Sequence, residues 1–192
     1  MLVLASGSPR RAELLRQIGV SFDVCPADID ERPQDGELPE DYVLRLSQEK
    51  AKTVLGLDEE RIVLGSDTIV TLDGRLFGKP SDFFEFKMMM SELSGKEHKV
   101  MSAVTILNAE QIKSSISVTS VHFRDLQEEE IQYYWHTGEP KDKAGGYAIQ
   151  GIAACFVERI EGSYSGVMGL PLFETCELLQ EFGLMSFDQK SA

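Results

Sequence analysis

Residues 2–18 read LVLASGSPRRAELLRQI, which is an apolar run, a turn and an amphipathic segment in direct succession. Residues 2–5 have the composition of a short buried strand, and residues 6–9 that of a turn. From Pro9 onward the apolar residues recur at helical spacing, and Gly19 is typical of a helix end. The chain therefore begins with a strand that leads directly into a helix.

Strands and helices continue to intermix along the rest of the chain. Asp73-Gly74 predicts a hairpin turn after two apolar runs that flank a polar centre at residues 65–68. Further strands are expected over residues 20–25, 62–64, 69–72, 100–107, 115–123 and 153–160, and further helices over residues 39–55, 81–93, 126–135 and 169–182. No internal repeat or low-complexity linker interrupts this order. We predict one α/β domain over residues 1–192, with helices flanking a mixed, twisted β-sheet and a polar tail from about residue 186.

The composition is that of an ordinary soluble globular protein, with 42% hydrophobic and 27% charged residues. No apolar run approaches the ~20 residues that a membrane span needs, and the N-terminus lacks the basic region of a signal peptide. Cys25, Cys155 and Cys176 show no CxxC spacing and are expected to be reduced core thiols. These features predict a cytoplasmic protein with no membrane partner.

The 19 basic and 32 acidic residues give the chain a net charge of −13. A surface of this sign disfavours nonspecific nucleic-acid binding, so no nucleic-acid partner is expected. A small anionic substrate remains compatible if cations are concentrated locally. The three histidines are not paired at ligand spacing, which argues against a zinc site built from His and Cys.

Two arginines fall in the first turn of the first predicted helix. Ser8 is a good N-cap residue and Pro9 suits the first helical position. Arg10 and Arg11 then follow where the positive end of the helix dipole disfavours cations. A bound anion would compensate, since free amides and guanidinium forks hold phosphate well. Two solvated arginines on a surface helix are the equally open alternative.

A lysine falls on the apolar stripe of the second predicted helix. Val43, Leu46 and Val54 define this stripe, and Lys50 lies within it, whereas Lys52 points to the opposite face. A lysine in a core-facing position either lines a cleft or meets an acid. The alternative is an aliphatic stem that snorkels from the helix edge.

Asp67 lies between two β-prone runs, which is a costly place for a carboxylate without a partner. A divalent metal or a polarised water would account for it, and a structural strand cap is the alternative. Lys79 follows one hairpin later and is expected to return close to Asp67. Glu31, in an acidic loop, is either a second carboxylate of this site or a solvated side chain.

Three common signatures are absent from the sequence. Gly78-Lys79 is followed by proline rather than Ser or Thr, so the P-loop pattern fails. Residues 162–166 place tyrosine where GxSxG requires serine. No GxGxxG opens a helix after the first strand. Kinase, serine hydrolase and Rossmann interpretations therefore lack support.

Five stretches together resemble the Maf family of nucleotide pyrophosphatases. They are SGSPRR (6–11), GSDTIV (65–70), GKP (78–80), KAGGYAIQG (143–151) and YSGVMGLP (164–171). They occur in the family's order and span nearly the whole chain. Thr68 together with GYAIQG is similar to the subfamily that hydrolyses dTTP and UTP, whereas other branches act on other nucleotides, including a methylated guanosine triphosphate.

The resemblance implies a Maf/ITPase-like fold with two lobes around a central cleft, often as a homodimer. It also implies release of pyrophosphate from a nucleoside triphosphate with a divalent cation, Mg²⁺ or Mn²⁺. Asp67 matches the family's proton acceptor, and Asp67 and Glu31 are the candidate metal ligands. Further matching positions are Glu31, Lys50 and Lys79 in the active site, and Arg10, Thr68 and Gln150 for substrate choice.

These matches predict that a water oriented by Asp67 attacks the α-phosphorus, while lysines, arginines and the metal stabilise the phosphate charge. Gln150 carries an amide that matches the N3–H and a carbonyl of uracil or thymine, although a flipped amide pairs with cytosine. Two other functions stay open: a nucleotide-binding regulator of cell division or septum formation, and pyrophosphate release from a non-canonical purine nucleotide. The carboxylates and lysines favour the enzyme, because binding alone needs only cations.

Overall fold

The computed structural model describes residues 1–58 and 60–186. Its strands are β1 (Leu2–Leu4), β2 (Phe22–Val24), β3 (Ile62–Leu72), β4 (Arg75–Phe77), β5 (Glu97–Leu107), β6 (Ile112–Phe123) and β7 (Val157–Glu161). Its α-helices are α1 (Pro9–Gln17), α2 (Pro39–Leu55), α3 (Phe83–Leu93), α4 (Glu128–His136), α5 (Tyr164–Met168) and α6 (Leu172–Glu181). Two short 3₁₀-helices cover Ala144–Gly146 and Ile152–Phe156. No helix in these described ranges is long and apolar enough to cross a membrane.

The strands form one mixed sheet in the order β2-β1-β3-β5-β6-β7, and β4 also pairs with β3. β1 is parallel to both of its neighbours, and the other pairs are antiparallel. The predicted mixed α/β sheet is therefore confirmed. The hairpin turn at Asp73-Gly74 is also present, with both residues at positive φ.

One edge of β3 is interrupted at its centre. β1 pairs with β3 as far as Leu64, and β4 pairs with it only from Val70. Among the described strands, residues 65–69 therefore have a partner on one side alone, β5. We call this interruption the β3 gap.

Helix α2 covers one face of the sheet beside the β3 gap. Its buried residues Val43, Ala51 and Val54 pack on odd-numbered residues of β3, including Val63. Contact is so close at Gly65 that a Cβ there would lie 2.2 Å from the Ser47 carbonyl oxygen. Glycine is therefore required for α2 to approach β3 as it does.

The opposite face carries two separate apolar clusters. One gathers around α1 and α6 and includes Leu64, and the other gathers around α3 and α4 and includes Val70. Ser66 and Thr68 lie between them, since alternate residues of a strand share a face. The Ser66 hydroxyl donates to the Gly169 carbonyl at 3.2 Å, which satisfies part of this polar strip. The apolar packing on this face is therefore divided in two by a polar strip.

Three local expectations differ from the structure. Residues 62–72 form one continuous strand, because the polar centre is buried under α2 and against the Gly169 carbonyl. Residues 153–156 are 3₁₀-helical rather than extended. The predicted helix over residues 169–182 begins only at Leu172, since Gly169 has φ 122° and Pro171 is the N-cap.

Two smaller expectations complete the comparison. The three cysteines are free thiols, but Cys155 is exposed and therefore does not belong to the core. The predicted polar tail beyond Ser186 lies outside the described residues.

Candidate active site

A cavity of about 840 Å³ opens at the β3 gap. It is wide enough for a nucleotide-sized ligand, since small-molecule pockets span roughly 300–1,000 Å³. All nine site residues expected from the sequence line it: Ser8, Arg10, Arg11, Glu31, Lys50, Asp67, Thr68, Lys79 and Gln150. The fold thus brings together residues from six separate segments of the chain.

Lys50 joins the two carboxylates of the cavity. Its Nζ lies 2.5 Å from Asp67 Oδ1 and 2.7 Å from Glu31 Oε1. The Lys50 and Asp67 side chains are about nine-tenths buried, whereas Glu31 is half-exposed. The lysine on the apolar stripe of α2 therefore meets acids, as one of the two sequence interpretations requires, and does not snorkel. Glu31 belongs to the same cluster.

The charge of Glu31 is determined by its cationic surroundings. Burial by itself would raise its pKa, but the hydrogen bond and charge of Lys50, with the charges of Lys79 and Arg11, lower it overall. Tyr42 holds the loop in place by donating its hydroxyl to the Glu31 carbonyl at 2.7 Å. Burial and the charges of the two carboxylates raise the pKa of Tyr42 to about 12, so this donor keeps its proton at neutral pH.

The two arginines of α1 are anchored and not solvated. Arg11 donates from Nε to the Gly169 carbonyl at 2.8 Å and from Nη1 to Ser6 Oγ at 3.1 Å. Arg10 donates from Nε to the Met168 carbonyl at 3.3 Å. Burial lowers the pKa of both guanidinium groups below their ordinary value of 12.5. The segment before α6 therefore fixes both cations on the cavity wall.

The N-terminus of α1 is open toward the cavity. Ser8 is the N-cap residue, but its side chain makes no capping hydrogen bond, and its amide donates to Ser6 Oγ at 3.2 Å. First-turn amides have no partner within their own helix. They are therefore available to a bound anion, alongside Arg10 and Arg11.

Two lysines also line the cavity. Lys79 follows β4, and Lys143 precedes a glycine segment that packs tightly on β3, where a Cβ on Gly145 would lie 2.8 Å from Val70. Burial and the charges of Arg10 and Lys79 lower the pKa of Lys143, so these three cations share one space. Sequence reasoning did not single out Lys143 as a site residue. Its place at the start of the KAGGYAIQG stretch is the signal that could have identified it.

Thr68 and Gln150 occupy different parts of the cavity. The Thr68 hydroxyl lies 2.8 Å from Ser102 Oγ and accepts from Arg11 Nη2 at 3.4 Å. Gln150 is exposed, and its side chain has no hydrogen-bond partner among the described residues. The Gln150 amide is therefore free to hydrogen-bond to a ligand, whereas the Thr68 hydroxyl already bonds to Ser102 and Arg11.

The two carboxylates have the chemistry of a site for a divalent cation. No group of three or more His, Cys, Asp or Glu residues in the described part of the chain is arranged so that it could hold a metal ion. Mg²⁺, however, is commonly bound by one or two carboxylates together with substrate phosphates and waters. Asp67 Oδ2 accepts no hydrogen bond from any described residue and remains open to the cavity. Asp67 and Glu31 therefore fit this mode of binding.

The mixed α/β sheet with its flanking helices has a counterpart among solved structures. The chain shares its fold with the solved structure of the Staphylococcus aureus Ham1 protein, with a TM-score of 0.51. The match covers 94% of this chain and 96% of that one at 12% identity, so the likeness concerns the fold alone.

The chain belongs to the Maf family. The family profile described as Maf-like protein matches residues 1–182. A protein of Vibrio parahaemolyticus named dTTP/UTP pyrophosphatase is 54% identical over 94% of this chain and 96% of its own length. A protein of the same name from Hahella chejuensis is 50% identical over 95% of this chain and 92% of its own. The family expected from the five sequence stretches is therefore confirmed.

Proposed function

We propose that this protein hydrolyses the pyrimidine nucleoside triphosphates dTTP and UTP to a nucleoside monophosphate and pyrophosphate. The relatives that carry this name match the chain almost end to end at 50–54% identity. The observation that carries the proposal is the Lys50-bridged pair of Asp67 and Glu31 in a cavity that also holds four cations. Modified pyrimidine nucleotides of the same shape belong to the same substrate class.

In the chemical step, Asp67 Oδ2, which accepts no hydrogen bond from the described residues, would act as the general base. A water molecule positioned by Asp67 attacks the α-phosphorus, so that a new P–O bond forms. The water's proton passes to the Asp67 carboxylate, and the bond from the α-phosphorus to the bridging oxygen breaks. Pyrophosphate leaves with the bonding electrons. Lys50 holds the carboxylate in place through its 2.5 Å contact.

Four cationic side chains of the cavity would bind the triphosphate. Arg10, Arg11, Lys79 and Lys143 surround the cavity in a chain whose net charge is −13. They concentrate positive charge where the phosphates lie and stabilise the charge that develops on the leaving pyrophosphate. The open amides of α1 add donors at the same wall.

Asp67 and Glu31 would hold a divalent cation, Mg²⁺ or Mn²⁺. When bound, such a cation neutralises phosphate charge and makes a coordinated water more acidic. A metal requirement is tested directly by comparing rates with Mg²⁺, with Mn²⁺ and with EDTA.

Base choice is assigned to Gln150, supported from the other wall by Thr68. The Gln150 amide offers one acceptor and two donors, which match the N3–H and a carbonyl of uracil or thymine. A single methyl group in an apolar pocket contributes only ~1–3 kcal/mol, so the base pocket would discriminate only weakly between thymine and uracil. We further propose that the protein is cytoplasmic and forms a homodimer. Light scattering on the purified protein would test the dimer.

The decisive experiment is pyrophosphate release from a panel of pyrimidine and purine nucleoside triphosphates, including non-canonical ones. Wild type and Asp67→Asn are compared, with Asp73→Asn in the exposed hairpin turn as the matched control. We expect turnover of dTTP and UTP to fall by about 10²–10⁴-fold in Asp67→Asn, since this is the usual contribution of a general base, with binding retained.

Other outcomes would point elsewhere. Tight nucleotide binding without pyrophosphate release by the wild type would favour a regulator of division or septum formation. Preference for a non-canonical purine nucleotide would instead assign the other enzymatic alternative.

A further inference from the structure

Main-chain hydrogen bonds hold the turn that carries Gln150. The Gly151 amide donates to the Ala148 carbonyl at 3.0 Å, which closes a tight turn around Gln150. On the N-terminal side of the turn, the Ala148 amide donates to the Tyr134 hydroxyl at 3.1 Å. On the C-terminal side, the Ile152 amide donates to Glu139 Oε2 at 3.0 Å. Both sides of the turn thus depend on side chains from outside it.

These two side chains are themselves joined. The Tyr134 hydroxyl donates to Glu139 Oε1 at 2.8 Å. An ionised carboxylate only accepts hydrogen bonds, so the hydroxyl proton points to Glu139 and the oxygen is left to accept from Ala148. One directional chain therefore runs from the Ala148 amide through Tyr134 to Glu139, and the Ile152 amide returns to the same carboxylate.

The two side chains are also rigidly placed. Tyr134 is fully buried, and its ring packs at right angles to that of Phe156 with a centroid distance of 5.2 Å. The Glu139 carboxylate lies directly against the main chain of Gly151, where a Cβ would be 2.3 Å from it. Any larger residue at position 151 would displace the carboxylate, because its oxygens fill the space of the missing side chain.

Gln150 has no such support of its own. Its side chain is exposed in the cavity and has no hydrogen-bond partner among the residues that the structure describes. A Gln amide pairs with uracil or thymine in one orientation and with cytosine in the other. The position of the main chain on either side of Gln150 is therefore the feature that sets how its amide approaches a base.

We propose that Tyr134 and Glu139 are positioning residues for base selection, which hold the turn around Gln150 so that its amide meets uracil or thymine in preference to cytosine. Neither residue lines the cavity, so neither touches the substrate. The proposal rests on the proposed function, in which Gln150 contacts the base. In this proposal the base selectivity of Gln150 depends on the hydrogen-bonded pair of the buried Tyr134 and the partly buried Glu139.

Tyr134→Phe tests the proposal, since it removes one hydroxyl and keeps the ring. The measurement is kcat/KM for dTTP and for dCTP with Mg²⁺, together with the thermal unfolding temperature. We expect the dTTP/dCTP ratio to fall about tenfold, which is the effect of losing one well-placed hydrogen bond. Tyr133→Phe, at an exposed tyrosine of the same helix, is the matched control and should leave the ratio unchanged.

A double-variant cycle separates positioning from general destabilisation. Gln150→Ala lowers the ratio, and adding Tyr134→Phe to it should lower the ratio no further, because the two residues act on the same feature. An equal loss of activity toward both nucleotides in Tyr134→Phe would overturn the proposal, and so would an additive loss of the ratio in the double variant.

Binding of the products dTMP and dCMP, measured by calorimetry, gives a ratio of affinities for the two bases that does not depend on turnover. A wild type that binds dTMP selectively but releases no pyrophosphate would contradict the proposed function, while the Tyr134→Phe effect on binding would still decide the inference. Normal turnover with a dTTP/dCTP ratio that is unchanged in Tyr134→Phe would overturn the inference and leave the proposed function intact.

Discussion

Asp67 and Thr68 are neighbours in sequence, but their side chains leave β3 on opposite faces of the sheet. Asp67 meets Lys50 of α2 at 2.5 Å, whereas Thr68 meets Ser102 of β5 at 2.8 Å and Arg11 of α1 at 3.4 Å. Both still reach one cavity, because the β3 gap leaves the strand edge between them uncovered. A ligand at this gap can therefore contact the Asp67 carboxylate and the Arg11 guanidinium group together.

Lys50→Met should destabilise the protein by about 3 kcal/mol, because breaking a buried ion pair leaves a carboxylate without its counter-charge. Adding Asp67→Asn should recover part of this loss, since the uncompensated charge is removed. Urea unfolding at neutral pH measures both changes. Lys52→Met, on the solvated face of α2, is the control. A double variant no more stable than Lys50→Met would contradict the ion-pair interpretation.

Arg11→Lys should raise the KM for dTTP about tenfold, because an ammonium cannot reproduce the guanidinium fork that reaches Gly169 and Ser6 together. Steady-state kinetics measure the effect. Arg16→Lys, at an exposed arginine of the same helix, should leave KM unchanged. Equal KM values for the two variants would show that Arg11 does not contribute to binding of the triphosphate.

His98 should make the protein less stable as the pH falls from 6.5 toward 4. Its ring is buried beside Tyr147, and burial, with a smaller effect of the His122 charge, lowers its pKa from 6.5 to about 4. Within this window the unfolded chain binds a proton that the folded chain does not, so the free energy of unfolding decreases with decreasing pH. The full contribution is about 3 kcal/mol.

Urea unfolding at pH 7 and pH 4.5 checks this expectation. His98→Gln should lower stability at pH 7 but reduce the difference between the two pH values. His136→Gln, at an exposed histidine, should leave that difference as it is. The same pH dependence in wild type and His98→Gln would show that other groups account for it.

Gly65→Ala should lower the free energy of unfolding by about 2 kcal/mol or more, because overpacking a filled interface typically costs ~1–3 kcal/mol. The new methyl group would overlap the Ser47 carbonyl oxygen of α2. Gly78→Ala is the control, since no atom lies within 4 Å of the added Cβ. Thermal unfolding compares the two, and similar midpoints would mean that α2 shifts away without cost.

The helices of the fold could be predicted closely where a clear apolar stripe exists. The predicted range of α2, residues 39–55, coincides with the observed helix, and Lys50 falls where the stripe requires. The sequence pattern predicts two strands in place of β3, because Gly65 and Ser66 interrupt the apolar run. These small residues are buried for reasons of tertiary packing, namely the approach of α2 and the carbonyl of Gly169, which local pattern does not contain.

Most residues of the candidate site could be predicted from the sequence, but Lys143 and the arrangement of the site could not. Asp67, Lys50 and the arginines stood out because each breaks a local rule of burial or charge. The support from Tyr134 and Glu139 did not, since an aromatic residue on a helix and an acid after it follow ordinary patterns. Their role depends on hydrogen bonds to main-chain amides that are more than ten residues away.

The β3 gap also bears on the behaviour of the chain in concentrated solution. An uncovered strand edge offers main-chain donors and acceptors to a neighbouring molecule and so invites intermolecular pairing and aggregation. In this protein the uncovered stretch spans only residues 65–69, and charged side chains such as Arg11 and Lys79 border it. The charged groups that fit a phosphate ligand thus also disfavour the addition of a foreign strand to the sheet.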